Sequence, residues 1–373
     1  MAHLYGRNYT RQQLQAYTGD ISQIARVKPY RLVEGLEDGV LAVDVTTGSG
    51  FDFTVLPSRG MDISSANFSG RSLAWRSSTS DTHPAFFDHE GENGRGWLRG
   101  FFGGLVTTCG LTYVGAAGED EGRSYGLHGR IGNIPATNVS WDTEWVGDDL
   151  VLTVRGKLRE TTVFGENISL TRTITTALGA KCLRITDSVE NLSYQRCEHM
   201  LLYHVNAGFP AVNDSAKLIA PTIRATPRDE EAKRGFDTYR QFHSPSAGFK
   251  EQVYLHEMAV SADGTVTTAV VDPTVESGSS TGFGVYTKYR AAELPCFIEW
   301  KMMDSGAYAV GMEPANCLVN GRASERARGS LKYLEPGEVR EYSVEIGVVS
   351  GAAEITALER LCDEAVALRS ERS

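Results

Sequence analysis

The residues of this sequence best suited to chemistry are two histidines and one glutamate. His204 lies in the run LLYHVNAGFP at 201–210, Glu313 in VGMEPAN at 310–316, and His128 in YGLHGR at 125–130. An imidazole donates or accepts a proton near neutral pH. A carboxylate beside it in a cleft supplies the complementary base. One acid and one base, without a cofactor, are what the opening of a sugar ring requires.

Each of these has a plainer reading. From its local run alone, His204 is first a core histidine with its hydrogen bonds satisfied. The tail that follows, with Asn206, Gly208 and Pro210, marks a sharp exit from a buried strand into a loop, where sites gather. Glu313 stands before Pro314, as a surface glutamate at a turn would. The apolar stretch 307–312 before it looks buried, however, and a carboxylate there needs a partner. His128, between Gly126 and Gly129, reads equally as a loop histidine with no role.

Other residues widen the candidate set. Arg59 and Asp62 lie on the turn 59–63, where they could bind sugar hydroxyls or simply pair with each other. Trp300 could stack on a sugar ring or fill the core, and Lys301 follows it. His256 and Glu257 form a polar pair in a strand-like run. His83, Asp88, His89 and Glu90 crowd the segment 81–90 without a recognised ligand spacing, so no metal is expected. The sequence carries no Walker A pattern, dinucleotide fingerprint or nucleophile elbow, so no cofactor is expected either.

The elements that must position these residues read as strands. Short runs rich in Val, Thr, Leu and Phe are punctuated by glycine and turn pairs. Alternation marks 40–46, 51–56, 149–156 and 168–176, and 181–190 and 340–349 are further strand candidates. This spacing predicts an all-β chain of stacked antiparallel sheets rather than a βαβ array. Helices are predicted at 11–17, with Thr10 as N-cap, and at 353–368, where Ile355, Leu358, Leu361, Ala365 and Leu368 recur at helical spacing. The segments 118–123 and 227–234 read as charged surface loops. No low-complexity linker or solenoid repeat divides the chain, so 1–373 is read as one domain.

Bulk composition narrows the partners. Hydrophobic residues make up 41% and charged residues 23%, as in a soluble globular protein. The formal net charge of −10 argues against nucleic acid or an anionic membrane as partner, since both call for basic patches. The six cysteines are scattered with no C-x-x-C pair, and the start of the chain lacks a charged-then-apolar leader. Both point to the cytoplasm.

Taken together, the runs RGMDI at 59–63, WLRGFFGGL at 97–105, TCGL at 108–111, GLHGR at 126–130, YHVNAGFP at 203–210 and GMEPAN at 311–316 resemble a bacterial branch of the aldose 1-epimerase (galactose mutarotase-like) superfamily. The resemblance covers nearly the whole chain. Set beside the galactose mutarotases proper, the matches thin to an arginine, two histidines and the late glutamate. The resemblance implies a galactose mutarotase-like β-supersandwich with its site in a groove on one sheet. It implies His204 as general acid at the ring oxygen, Glu313 as base at the anomeric hydroxyl, and Arg59 and His128 as groups that hold the substrate. Asp62, Asn206, His256, Trp300 and Lys301 complete the candidate substrate contacts. The family's substrate-binding aspartate has no evident match, and the segment holding His256 and Glu257 is a candidate replacement.

The activity implied is an isomerase that interconverts the anomers of a free sugar, with a small-molecule sugar as partner and a homodimer as a possible assembly. Two rivals share the architecture: a lyase or glycoside hydrolase, and a non-catalytic sugar-binding protein. A hydrolase would need two carboxylates at a set separation, and only Glu313 is well placed from sequence.

Overall fold

In the computed structural model, residues 1–277 and 280–370 are described, and their strands form two large sheets. One sheet has twelve strands and the other eight among the described residues. All pairings within them are antiparallel, as the alternating runs predict. The predicted strand at 149–156 continues further, as Asp149–Thr161, and that at 340–349 is Val339–Ser350.

Alternation explains how the sheets face each other. Along Asp149–Thr161 the residues Leu150, Leu152, Val154 and Leu158 point one way and are buried. They join Leu170, Ile174, Ile185 and Val344 of the same sheet against Val55, Tyr203, Val205 and Met312 of the other, in one continuous core. Each fully buried apolar side chain of this kind contributes about 1.5–3 kcal/mol. A charged clamp crosses the same interface. Arg172 of the eight-stranded sheet lies 3.0 Å from Asp62 of the twelve-stranded sheet and 2.6 Å from Asp187.

The centre of the twelve-stranded sheet runs, in neighbour order, Gln252–Met258, Cys296–Asp304, Ala307–Ala315, Cys197–Ala207 and Val106–Leu111. Cys197–Ala207 is buried along nearly its whole length, which requires cover on both faces. Its odd-numbered residues Leu201, Tyr203 and Val205 face the inter-sheet core. Its even-numbered residues Met200 and Leu202 face a second apolar cluster with Trp97, Phe101, Val253 and Ile298. That outer cluster is completed by the excursions 75–105 and 112–131 on either side of Val106–Leu111, which fold over the sheet and make most of the walls of a cleft.

The two predicted helices are present. Arg11–Tyr17 opens with a capping box between Thr10 and Gln13. The C-terminal helix is Ala352–Ser370, two residues longer than expected at its end, and buries Ile355, Cys362 and Ala365 against the eight-stranded sheet. Two expected loops are partly regular. Asp229 caps a short helix, Glu230–Arg234, by accepting from the Ala232 backbone N–H. The segment around Glu121 is the turn of a hairpin between Gly118–Asp120 and Arg123–Tyr125. No helix among the described residues is long and apolar enough to cross a membrane.

Candidate active site

The register of two neighbouring strands sets the site. Val205 pairs with Met312 and Leu202 with Ala315, which places His204 and Glu313 directly opposite each other on the outer face. His204 Nε2 lies 3.1 Å from Glu313 Oε1, and both side chains are at most 5% exposed. One strand further, Ile298 pairs with Glu313 and Trp300 with Gly311. Trp300 therefore shares the face of the pair, and Gly311 keeps the space between them open. A Cβ at Gly311 would lie 2.7 Å from Glu313 Oε1 and 3.2 Å from His204 Cε1.

These residues form the floor of a cleft of about 610 Å³, within the range of small-molecule sites. Its walls are aromatic. The His204 ring stands edge-on to Phe101 at 5.3 Å and to Trp300 at 5.4 Å between centroids. Trp97 stacks on Phe101 at 4.2 Å and tilts against His128 at 4.8 Å. Trp75 closes the wall at 5.9 Å from Trp300. His128 also lines the cleft, with its ring centroid 5.9 Å from that of His204. It sits on a left-handed backbone turn with φ of 57°, held where His89 Nε2 accepts from the Gly126 N–H at 2.9 Å.

Burial sets the protonation of the floor. It drives the His204 imidazole down to about 3, with the neighbouring His128 acting in the same direction. Burial drives His128 down to about 4. Burial holds Glu313 well above the usual carboxylate range, and the Glu251 carboxylate adds to that shift while Arg228 opposes it. Both members of the pair thus favour their uncharged forms. A neutral carboxyl facing a neutral imidazole leaves one exchangeable proton between Oε1 and Nε2.

The cleft is also lined by three charged residues that sequence reasoning missed, Arg95, Arg228 and Glu251. Arg228 lies 2.9 Å from Glu251 and 2.8 Å from Asp229, and the Trp300 indole N–H donates to Glu251 at 3.0 Å. Both Arg228 and Glu251 line the cleft. Arg228 stands in an ordinary charged run and Glu251 just before the strand Gln252–Met258, so nothing in their local pattern set them apart.

Five expected contacts lie elsewhere. Arg59 does not reach the cleft; it is buried beneath the covering loops, where it donates to the backbone carbonyls of Gly132, Thr82 and Gly100 at 3.1, 2.6 and 2.8 Å. Burial lowers its pKa to about 10. Asp62 is enclosed between the sheets, accepting from Arg172 at 3.0 Å and from the Thr108 hydroxyl at 2.6 Å. Burial raises it to about 6. His256 and Lys301 point from the inner face of their strands, opposite Trp300, because side chains alternate. His256 Nε2 lies 3.3 Å from Glu299, and Lys301 donates to the carbonyls of Thr238 and Gln241. Glu257 faces outward near Arg224 at 3.7 Å, so this segment does not replace the missing aspartate in the cleft. Asn206 is wholly buried beside the site, not lining it, and donates to the carbonyls of Gly103 and His204.

The polar residues of 81–90 make separate local contacts. Asp81 accepts from Ser64 and pairs with Arg76, His83 and Asp88 accept from nearby backbone N–H groups, and His89 holds Gly126.

Two packed antiparallel sheets with a cleft on the outer face of one make an architecture that comparison with solved structures identifies as the galactose mutarotase-like fold. A Klebsiella pneumoniae protein provisionally described as an aldose 1-epimerase superposes with a TM-score of 0.84 at 24% identity, covering 91% of this chain and 87% of that one. A galactose mutarotase-like protein from Clostridium acetobutylicum gives 0.59 at 14% identity, covering 88% and 99%. The galactose 1-epimerase of Lactobacillus acidophilus gives 0.54 at 11%, covering 88% and 99%. A family model described as a domain of unknown function (DUF4432) matches residues 37–348, and the chain belongs to that family. No curated protein matches the sequence.

Proposed function

We propose that the protein interconverts the anomers of a free sugar, with His204 and Glu313 as the acid–base pair. The observation that carries this reading is the pair itself: imidazole and carboxyl 3.1 Å apart at the floor of an aromatic cleft, both held toward their uncharged forms by burial. Mutarotation needs a proton removed from the anomeric hydroxyl and a proton delivered to the ring oxygen. The C–O bond of the ring then breaks and the anomeric carbon becomes a carbonyl. Rotation about the adjacent bond presents the other face, and the same two groups run the steps backwards to close the ring. Each group acts once as acid and once as base, so a pair holding a single proton between them completes the cycle unchanged. The resting pair, with the proton on Glu313, and the charge-separated form, with it on His204, contain the same number of protons. The assignment of His204 as acid and Glu313 as base belongs to the second form.

The aromatic walls suit this task. Trp300, Trp97 and Phe101 offer flat apolar faces to the C–H face of a pyranose, and His128 offers a neutral ring nitrogen to a hydroxyl. Arg228 and Glu251 present polar atoms to the hydroxyls that point toward the mouth.

The test is NMR saturation transfer between anomers over a panel of free aldoses and ketoses. One sugar is expected to exchange far above its uncatalysed rate, and His204→Asn and Glu313→Gln are each expected to lower that rate by about two to four orders of magnitude. Binding without exchange would favour the sugar-binding protein. The presence of a second carboxylate, Glu251, in the same cleft keeps the glycoside hydrolase reading specific enough to test. Release of reducing sugar from glycosides, abolished in Glu251→Gln, would replace the mutarotase reading.

A further inference from the structure

We propose that Asn206 is a positioning residue for His204, its carboxamide oxygen taking the Nδ1 proton of the imidazole and so directing the Nε2 lone pair at Glu313. This rests on the acid–base reading of the pair. A neutral imidazole has one N–H and one bare nitrogen, and which nitrogen is bare is set by the partner of the other. With the Glu313 carboxyl protonated, the nitrogen 3.1 Å from it must accept, and the proton of His204 belongs on Nδ1. That nitrogen is buried and has no hydrogen-bond partner of ordinary geometry among the described residues. Buried donors in folded proteins are almost always paired.

The matching orphan is two residues along the same strand. Asn206 Oδ1 is also buried and unpartnered. Residues two apart on a strand share a face, and His204 and Asn206 are the last two outward-facing residues of Cys197–Ala207. The amide end of Asn206 is fixed: Nδ2 donates to the Gly103 carbonyl at 3.2 Å and to the His204 carbonyl at 3.0 Å. Those two bonds orient the carboxamide and leave its oxygen as the free end. A hydrogen bond from His204 Nδ1–H to Asn206 Oδ1 would give each orphan its partner and leave the Nδ2 bonds in place. The Asn206 side chain already favours the charged imidazole, against the larger effect of burial. When His204 takes the proton from Glu313 or substrate onto Nε2, the added charge is shared with Nδ1–H, and a neutral acceptor there stabilises it without holding the ring charged at rest. A carboxylate in the same place would lock the proton on.

The experiment is long-range ¹H–¹⁵N correlation of the histidine ring nitrogens in the full chain, with His204→Asn used to assign the His204 signals. Wild type is expected to show the Nδ1–H tautomer. Asn206→Leu, which removes the acceptor, is expected to give a mixture of tautomers and to lower kcat for anomer exchange by about tenfold, with KM changed by less than about twofold. Asn206→Asp keeps an acceptor, and is expected to retain Nδ1–H and to raise the pH at which His204 protonates. An Nε2–H tautomer in wild type, or an unchanged tautomer in folded Asn206→Leu, overturns the inference. Were the leucine variant unable to fold, the wild-type tautomer and the aspartate variant still decide it. No sugar enters the tautomer measurement, so absence of exchange on every sugar would sink the proposed activity and leave this assignment standing.

Discussion

Replacing Glu313 by glutamine separates stability from chemistry at the floor of the cleft. In the folded protein burial lifts this carboxyl well above its ordinary value of 4.5. As the pH rises past 4.5 the unfolded chain releases the proton and the folded chain keeps it, so the unfolded state is progressively favoured until the folded carboxyl also ionises. Stability contributed by the protonated group is thus complete below 4.5 and lost as the pH climbs toward the folded value. The slope is at most about 1.4 kcal/mol per pH unit. The loss grows for as long as the folded carboxyl keeps its proton while the unfolded one does not. Glutamine has nothing to ionise, and its amide can still donate to His204 Nε2. Glu313→Gln is therefore expected to gain stability relative to wild type between pH 4.5 and 7.5, while the anomer exchange rate falls by about two to four orders of magnitude. Thermal melts of both proteins at the two pH values check the first, and saturation transfer checks the second. A stability difference that does not change with pH, or that moves against the variant as pH rises, would mean that Glu313 is ionised in the fold beside a charged His204. The neutral-pair argument would then be wrong.

Three further outcomes follow from buried groups. His128, brought to about 4, and His204, brought to about 3, are held below the ordinary 6.5 by burial, so their stability contribution is complete above 6.5 and lost as pH falls through the folded values. His128→Asn is expected to flatten the loss of unfolding free energy between pH 6.5 and 4.5 by up to about 1.4 kcal/mol per unit, measured by urea titration. Gly311→Ala places a methyl 2.7 Å from Glu313 Oε1, and is expected to lower kcat by about a hundredfold with an unchanged circular dichroism spectrum. Arg59→Met leaves three buried carbonyls without their donor; it is expected to lower unfolding free energy by about 3 kcal/mol or more in chemical denaturation, with the sugar affinity of the folded fraction retained.

The legible parts of the sequence were those where pattern and chemistry coincide. Alternation located the strands, the apolar spacing of Ile355, Leu358 and Ala365 located the last helix, and Thr10 marked the start of the first. His204 and Glu313 stood out as proton-handling residues in buried runs, and the structure places them in contact. What the sequence could not supply was the face on which a polar residue falls. Trp300 and Lys301 are adjacent, yet one lines the cleft and the other is tied to Thr238 and Gln241 on the far side of the sheet. A shift of one residue in register exchanges their places, and register depends on partners far away in the chain. Arg59 and Asp62 were misread for a related reason. A charged pair on a turn looks exposed until other segments cover it, and here each charge has its own buried partners. Arg228 and Glu251 escaped notice because they gain meaning only from what they face across the cleft.

The two proton-handling residues ride on adjacent strands at directly opposed positions, whereas most of the cleft wall is carried on the covering excursion that holds Trp75, Trp97, Phe101 and His128. Reactivity and selectivity are therefore inherited from different parts of the chain. Insertions, deletions and substitutions in the covering segments can remodel the shape of the cleft, while the strand pairing keeps imidazole and carboxyl face to face. The same division makes the covering segments the natural target for retuning substrate choice in the laboratory, and the two strands the part to leave alone.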